Sequence, residues 1–308
     1  MTRTGKACAV AVIGLLLAAC ASLEGLVGGA DSPPPDDSGP ATDGPVTDGP
    51  LDVGLTDASA PLYRPESGTY RYVGTGLDKL TRIDGGPLKE QLQGPVMDGV
   101  VAPLPRGDGG VADACYSFSL FASATHSWTL NLCQRGDRLV ESSGQDEQVW
   151  VFGTLRNPNL ASWRCTPENL ILGPTLERDK QAPHLCEGQN TTPPDSGFRQ
   201  GGLLKFLGRE VLNVAGQDVS AIHVEVTRTV TGSTQQGTQA LELWLDARSS
   251  LPLRGVRSST VTTTAPFFGE LRYTETSEFQ IQSLDPVLPS SDASVDADGD
   301  APKDGPRG

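Results

Sequence analysis

The chain has 308 residues and a formal net charge of −14, with 24 Lys and Arg against 38 Asp and Glu. Gly (36) and Pro (24) are abundant, aromatic residues make up 6%, and there are six cysteines and three histidines. The acidic balance and the lack of any basic run exclude nucleic acid and anionic headgroups as partners.

The chain opens with Arg3 and Lys6, followed by an apolar run from Ala7 to Ala19. This has the form of a signal peptide, and it is shorter than the roughly 20 apolar residues a spanning helix needs. Leu17-Ala18-Ala19-Cys20 closes the run. These four residues resemble the lipobox of bacterial lipoproteins. The resemblance implies removal of residues 1–19, a palmitate-type lipid on Cys20, and an extracytoplasmic chain anchored to a membrane of the cell envelope through that lipid. Ala19-Cys20-Ala21 also fits ordinary signal-peptide cleavage.

Residues 20–62 read as a disordered linker. Pro33-Pro34-Pro35-Asp36-Asp37 precedes the near-repeat Thr42-Asp43-Gly44-Pro45 and Thr47-Asp48-Gly49-Pro50. Such a composition offers too little apolar surface to offset chain ordering. As a flexible coil it would span roughly 35 Å, and as extended polyproline-like chain about 130 Å. Residues 285–308 read as a second acidic tail, and Asp296-Ala297-Asp298-Gly299-Asp300 lacks the Gly and Glu of a calcium loop. Residues 21–62 hold eight acids and no Lys or Arg, and 285–308 hold six acids against two bases. With Arg3 and Lys6 counted, only −4 is left for residues 63–284.

Residues 63–284 read as one all-β domain. Leu77–Leu92 is the single stretch that could hold a short helix, interrupted by Gly85-Gly86-Pro87. Cys115 to Cys133 predicts a hairpin about Ala124, pairing Tyr116 with Leu132, Phe118 with Leu130 and Leu120 with Trp128 on one face. Cys115 then lies opposite Cys133, within disulfide reach. Four cysteines in an exported domain suggest two disulfides; three pairings are possible, and Cys115–Cys133 with Cys165–Cys186 is the local one favoured here. A zinc site is disfavoured because no Cys-x-x-Cys pair exists.

Further on, Ile222, Val224 and Val226 alternate with polar residues, as do Leu241, Leu243 and Leu245. Leu271, Tyr273, Phe279 and Ile281 continue the pattern across an expected bulge. Gly232–Gly237 and Asp246–Ser250 read as hairpin connections. The expected architecture is a curved antiparallel meander, a half-barrel or open barrel with few or no helices. Gly208 to Gly216, Val219 to Val226, Leu243-Trp244-Leu245-Asp246 and Leu251-Pro252-Leu253-Arg254 form a strand–turn pattern. This resembles the extracytoplasmic lipoprotein-carrier superfamily, whose half-barrels enclose acyl chains. That likeness implies a similar curved sheet, and no functional residue follows from it.

Catalytic motifs are missing: there is no Gly-x-Ser-x-Gly, His-Glu-x-x-His or phosphate-cradling loop. His126, His184 and His223 read as satisfied surface or edge histidines. Glu147, Glu210, Glu225, Glu242 and Glu270 are the carboxylates available for glycoside hydrolysis, with no spacing that pairs them. Arg135-Gly136-Asp137 reads as a turn, and Asn190-Thr191-Thr192 as a silent glycosylation pattern. No cofactor or metal is indicated. The leading expectation is a non-catalytic lipoprotein binding an apolar ligand or lipid, with Phe118, Leu120, Trp128, Val149, Val151, Leu243 and Leu245 facing it. The alternatives are an envelope lipoprotein that contacts protein partners, and an envelope hydrolase.

Overall fold

The structure is a computed structural model, and it describes residues 64–104, 115–191, 196–265 and 269–287. Cys20, the linker and the tail beyond residue 287 lie outside these residues. Thirteen strands and one short helix follow in chain order: β1 (Gly68–Arg82), β2 (Pro87–Gln93), β3 (Val96–Pro103), β4 (Cys115–Ser123), β5 (His126–Arg135), β6 (Arg138–Phe152), β7 (Leu155–Leu172), α1 (Pro174–Asp179), β8 (Gln181–Asn190), β9 (Ser196–Val214), β10 (Gln217–Gly232), β11 (Gln235–Asp246), β12 (Pro252–Ala265) and β13 (Gly269–Ile281).

Every strand pairs antiparallel with its neighbours, and the sheet closes on itself. β13 pairs with β1 over eleven rungs, from Tyr72↔Ile281 to Arg82↔Leu271. On its other side β1 pairs with β3 through Gly68–Val73 and with β2 through Gly76–Thr81. The result is a closed barrel twelve strands around. This corrects the expected half-barrel or open barrel. Single-strand alternation reports a buried face, but only the long-range β1–β13 pairing decides whether that face is covered by a partner or by closure. The region around Leu77–Leu92 is likewise a hairpin rather than a helix. Asp78 and Leu80 turn inward in strand alternation, and the Gly85-Gly86 segment is its turn.

The β4–β5 hairpin has the expected register, including Cys115↔Cys133 and Leu120↔Trp128. Both local disulfides are formed, Cys115–Cys133 and Cys165–Cys186. The second lies beside the shortest seam of the barrel, where β7 and β8 share only four rungs, Ala161↔Asn190 to Arg164↔Glu187. Beyond that seam Asn169 fills the gap: its Nδ2 donates to Cys186 Sγ (3.1 Å), and its Oδ1 accepts from the Leu185 amide (2.9 Å). Closing a loop of 21 residues restricts the unfolded chain by about 3 kcal/mol. Replacing Cys165 and Cys186 together with Ala is expected to lower unfolding free energy by that amount, read as a shifted urea midpoint under non-reducing conditions. An unchanged midpoint would show that the β7–β8 seam holds without the staple.

The barrel has two unlike ends. The β1–β2, β4–β5, β6–β7 and β10–β11 connections lie at one end, called here the mouth. The β5–β6, β9–β10 and β11–β12 connections, the start of β1, the end of β13 and α1 lie at the other, the floor. Arg135-Gly136-Asp137 is part of the β5–β6 turn, with Gly136 at φ 64°. The floor is filled. Tyr72, Tyr116, Phe118, Leu120, Leu132, Leu204 and Leu245 are fully buried there. Tyr72 donates to the Pro252 carbonyl (2.7 Å) and Tyr116 to the Ser250 carbonyl (3.3 Å), pinning the β11–β12 connection beneath the core. At Val287 the chain still touches the barrel, its amide donating to the Thr69 carbonyl (2.7 Å).

Inward-facing glycines let aromatic rings lie across the strands. A Cβ on Gly144 would stand 2.4 Å from the Trp163 ring, and one on Gly255 would stand 2.3 Å from the Phe279 ring. The outer face of β13 is polar: Arg272, Thr274, Thr276, Glu278 and Gln280 alternate with the buried residues. A membrane-spanning barrel carries the reverse pattern, an apolar belt outside. Among the described residues no helix is long and apolar enough to cross a membrane.

Candidate ligand chamber and its buried charge networks

An eight-stranded barrel is filled by its own side chains, whereas sixteen strands leave an aqueous channel. Twelve strands fall between these limits. Bulky residues fill the floor half, and the mouth half retains a chamber of about 160 Å³. Its deep wall carries Trp128, Trp150, Trp163, Arg228 and Arg257, each less than a tenth exposed. Amide side chains ring it: Gln148, Gln200, Gln239, Asn159 and Asn190. Asn157, Gln235 and Thr263, only half-buried, form the rim.

Behind this wall lies a buried network built by β1, β5, β6, β12 and β13. His126 is held between two carboxylates. Its Nδ1 lies 3.0 Å from Asp78 Oδ2 and its Nε2 lies 3.2 Å from Asp146 Oδ1. Arg257 donates through Nη2 to Asp146 and stands 3.3 Å from Glu275 Oε2. The Tyr273 hydroxyl lies 3.0 Å from Asp78 Oδ1 and 3.1 Å from Glu275 Oε2, and accepts from Gln148 Nε2 (2.8 Å). Gln93 Nε2 also donates to Asp78 (3.0 Å).

These contacts set protonation. Burial by itself would push the His126 imidazolium down, but the charges of Glu275 and Asp146, with hydrogen bonds to Asp146 and Asp78, carry it up to about 10. Burial opposes ionisation of Asp146, yet Arg257 and His126 hold it well below the usual carboxylate range. Glu275 is pushed up by burial, and Arg257 and His126 only partly offset this. A histidine protonated throughout the neutral range is a fixed cation, not a general base.

A second network faces the chamber from β6, β7 and β8. Glu141, fully buried, accepts from Trp163 Nε1 (2.8 Å) and from His184 Nε2 (2.8 Å). Burial works against its charge, but the His184 hydrogen bond and the Arg228 charge hold it below the usual range. On the outer wall His223 stacks on Trp244 at 3.9 Å, and Glu210 accepts from both (2.8 and 2.9 Å).

His126 and His184 are thus buried, not at the surface as the sequence suggested; His223 is on the outer wall. Asn190 is buried in the chamber rather than displayed as an acceptor. None of Glu147, Glu210, Glu225, Glu242 and Glu270 lines the chamber; the interior acids are Asp78, Glu141, Asp146 and Glu275. Among the expected apolar ligand residues only Trp128 reaches the chamber. Phe118, Leu120, Leu243 and Leu245 are packed in the core, and Val149 and Val151 are offset from the inward row Gln148, Trp150. Among the described residues two groups meet the spacing of a metal cluster, Asp78–His126–Glu275 and Glu141–Cys165–Cys186. Neither suits an ion. In the first, Arg257 and the His126 cation already supply the positive charge; in the second, both sulfurs are in the disulfide.

Neither a family model nor a curated protein matches this chain. Among the solved structures similar to it in part are two lipoprotein or exported proteins. One is the hypothetical lipoprotein YmcC from Escherichia coli, at 12% identity and a TM-score of 0.22, covering 68% of this chain and 88% of that one. The other is a Bacteroides fragilis protein described as exported and of YmcC-like fold, at 8% identity and a TM-score of 0.32, covering 72% and 98%. Likenesses at these scores assign no function.

Proposed function

We propose that the chain is a non-catalytic cell-envelope lipoprotein, anchored through Cys20, whose barrel captures a small, polar, ring-sized molecule. The chamber carries this reading: three tryptophans and a ring of amides enclose about 160 Å³ at one end of a barrel packed at the other. An apolar cavity of about 150 Å³ holds one benzene ring, so the size suits a single six-membered ring. Flat indoles offer contact to a ring face, and amides both donate to and accept from hydroxyls. This moves the expected ligand from an apolar chain to a polar ring. The lipobox and the two disulfides favour an oxidising, extracytoplasmic setting.

Binding is favoured over hydrolysis because Asp146, the one carboxylate among the described residues that lines the chamber, is engaged by Arg257 and His126. Saturation-transfer NMR on the purified chain with a panel of monosaccharides is expected to show contacts to ring protons. Trp163→Phe, which keeps an aromatic face and loses the indole N–H, is expected to weaken the best binder about tenfold. A panel with no binder, together with chains purified from the envelope that carry no small molecule by native mass spectrometry, would remove this reading.

A further inference from the structure

We propose that the chamber's ligand is an acid, a carboxylate-bearing monosaccharide of the hexuronate type, and that Arg228 takes its carboxylate. This rests on the chamber being a binding site and adds the charge of what it binds.

Arg228 stands midway along β10, facing inward, only 8% exposed. Its Nη1 donates to the Gln200 amide oxygen (3.0 Å), and its guanidinium lies 5.8 Å from the Trp163 ring centre. Among the described residues it makes no ion pair, and its Nε has no partner. Glu141, the acid whose charge acts on it most, has one oxygen taken by Trp163 and the other by His184. Arg257 on the same wall differs in this respect, because Asp146 and Glu275 both neutralise it.

A guanidinium cannot shed its proton, and an unpaired buried charge costs several kcal/mol. A fold that keeps one facing a cavity leaves room for an anion to complete it. Among the described residues the chamber lining carries two arginines against one aspartate. The fork of an arginine matches a carboxylate's two oxygens. The amides of Gln148, Gln239, Asn159 and Asn190 suit hydroxyls on the remaining ring positions.

The test uses the full chain in detergent with glucuronate, glucose and benzoate as titrants in calorimetry. Glucuronate is expected to bind at least tenfold tighter than glucose, and Arg228→Gln is expected to remove that difference. Arg228→Met gives the second measurement. A residue kept for a ligand leaves the unliganded barrel as stable or more stable when the charge is removed, whereas a structural residue leaves it less stable. Equal affinity for glucuronate and glucose would overturn the acid while the chamber stands as a binding site. Tight binding of benzoate alone would overturn the sugar ring. Binding of none of the three would overturn the acidic sugar, while the reading beneath it is decided separately by the monosaccharide panel and native mass spectrometry. A lowered melting temperature in Arg228→Met would overturn the assignment of Arg228 to a ligand.

Discussion

Arg257→Met is expected to lower the unfolding free energy by about 3–5 kcal/mol, the range for removing one partner of a buried ion pair. Arg257 donates to Asp146, which lines the chamber, and lies 3.3 Å from Glu275, which is buried behind its wall. Without it, Asp78, Asp146 and Glu275 have only His126 as a counter-charge, and Glu275 loses its ion pair in a low-dielectric interior. Met keeps most of the aliphatic stem and removes the guanidinium, which lies 5.8 Å from the Trp128 ring centre. Urea unfolding followed by tryptophan fluorescence reads the effect. A midpoint shifted by less than about 1 kcal/mol would show the acids to be neutralised some other way. The same substitution at Arg228 is expected to act in the opposite direction, so the pair of variants separates an arginine that holds the barrel from one that waits for an anion.

The barrel is expected to be most stable on the acid side of neutrality and to weaken steadily toward pH 10. His126 has its folded-state pKa raised, from 6.5 to about 10. Its imidazolium therefore contributes stability that is complete below about pH 6.5 and is lost as pH rises through about 10. Asp146 is shifted the other way, so its contribution is complete above the ordinary aspartate value and is lost as pH falls below it. Glu275, pushed up by burial, subtracts stability as pH rises past the ordinary glutamate value. The alkaline loss from His126 is on the order of 3–5 kcal/mol, since one pKa unit corresponds to about 1.4 kcal/mol. Melting temperatures between pH 5 and pH 10 check it. His126→Gln should flatten the alkaline limb and lower the acid plateau. A wild-type melting temperature that is constant across that interval would sink the fixed-cation assignment.

Much of the wall was legible in the sequence, and little of what it encloses. Phe118, Leu120, Trp128 and Leu130 announce the β4–β5 hairpin because their inner face is apolar, and Cys115 and Cys133 confirm its register. That cue fails at the mouth half. Asp78, Asp146, Arg228, Arg257 and Glu275 point inward from strands whose outer faces are also polar, so alternation loses its contrast. Asp146 and Glu147 are neighbours of like character, and only β5–β6 pairing shows which one faces His126. For the same reason Leu77–Leu92, with polar residues on both sides, reads equally well as helix or hairpin. Closure was hidden for a different reason: Tyr72↔Ile281 is a pairing between residues at opposite ends of the domain.

That seam has a consequence for how the chain reaches its native state. Neighbouring hairpins such as β4–β5 and β9–β10 can zip locally, but β1 cannot complete its second side until β13 has been delivered, some two hundred residues later. Structures dominated by such distant pairings fold slowly, because loop closure must precede its reward. Until then β1 and β13 are two unpaired edges, each ready to add a foreign strand. Tyr72 and Phe279, whose rings meet at 5.5 Å across the finished seam, are exposed on those edges in the interval. The period before the last strand arrives is thus when the chain is most open to aggregation, and β1 is the segment a chaperone would need to shield.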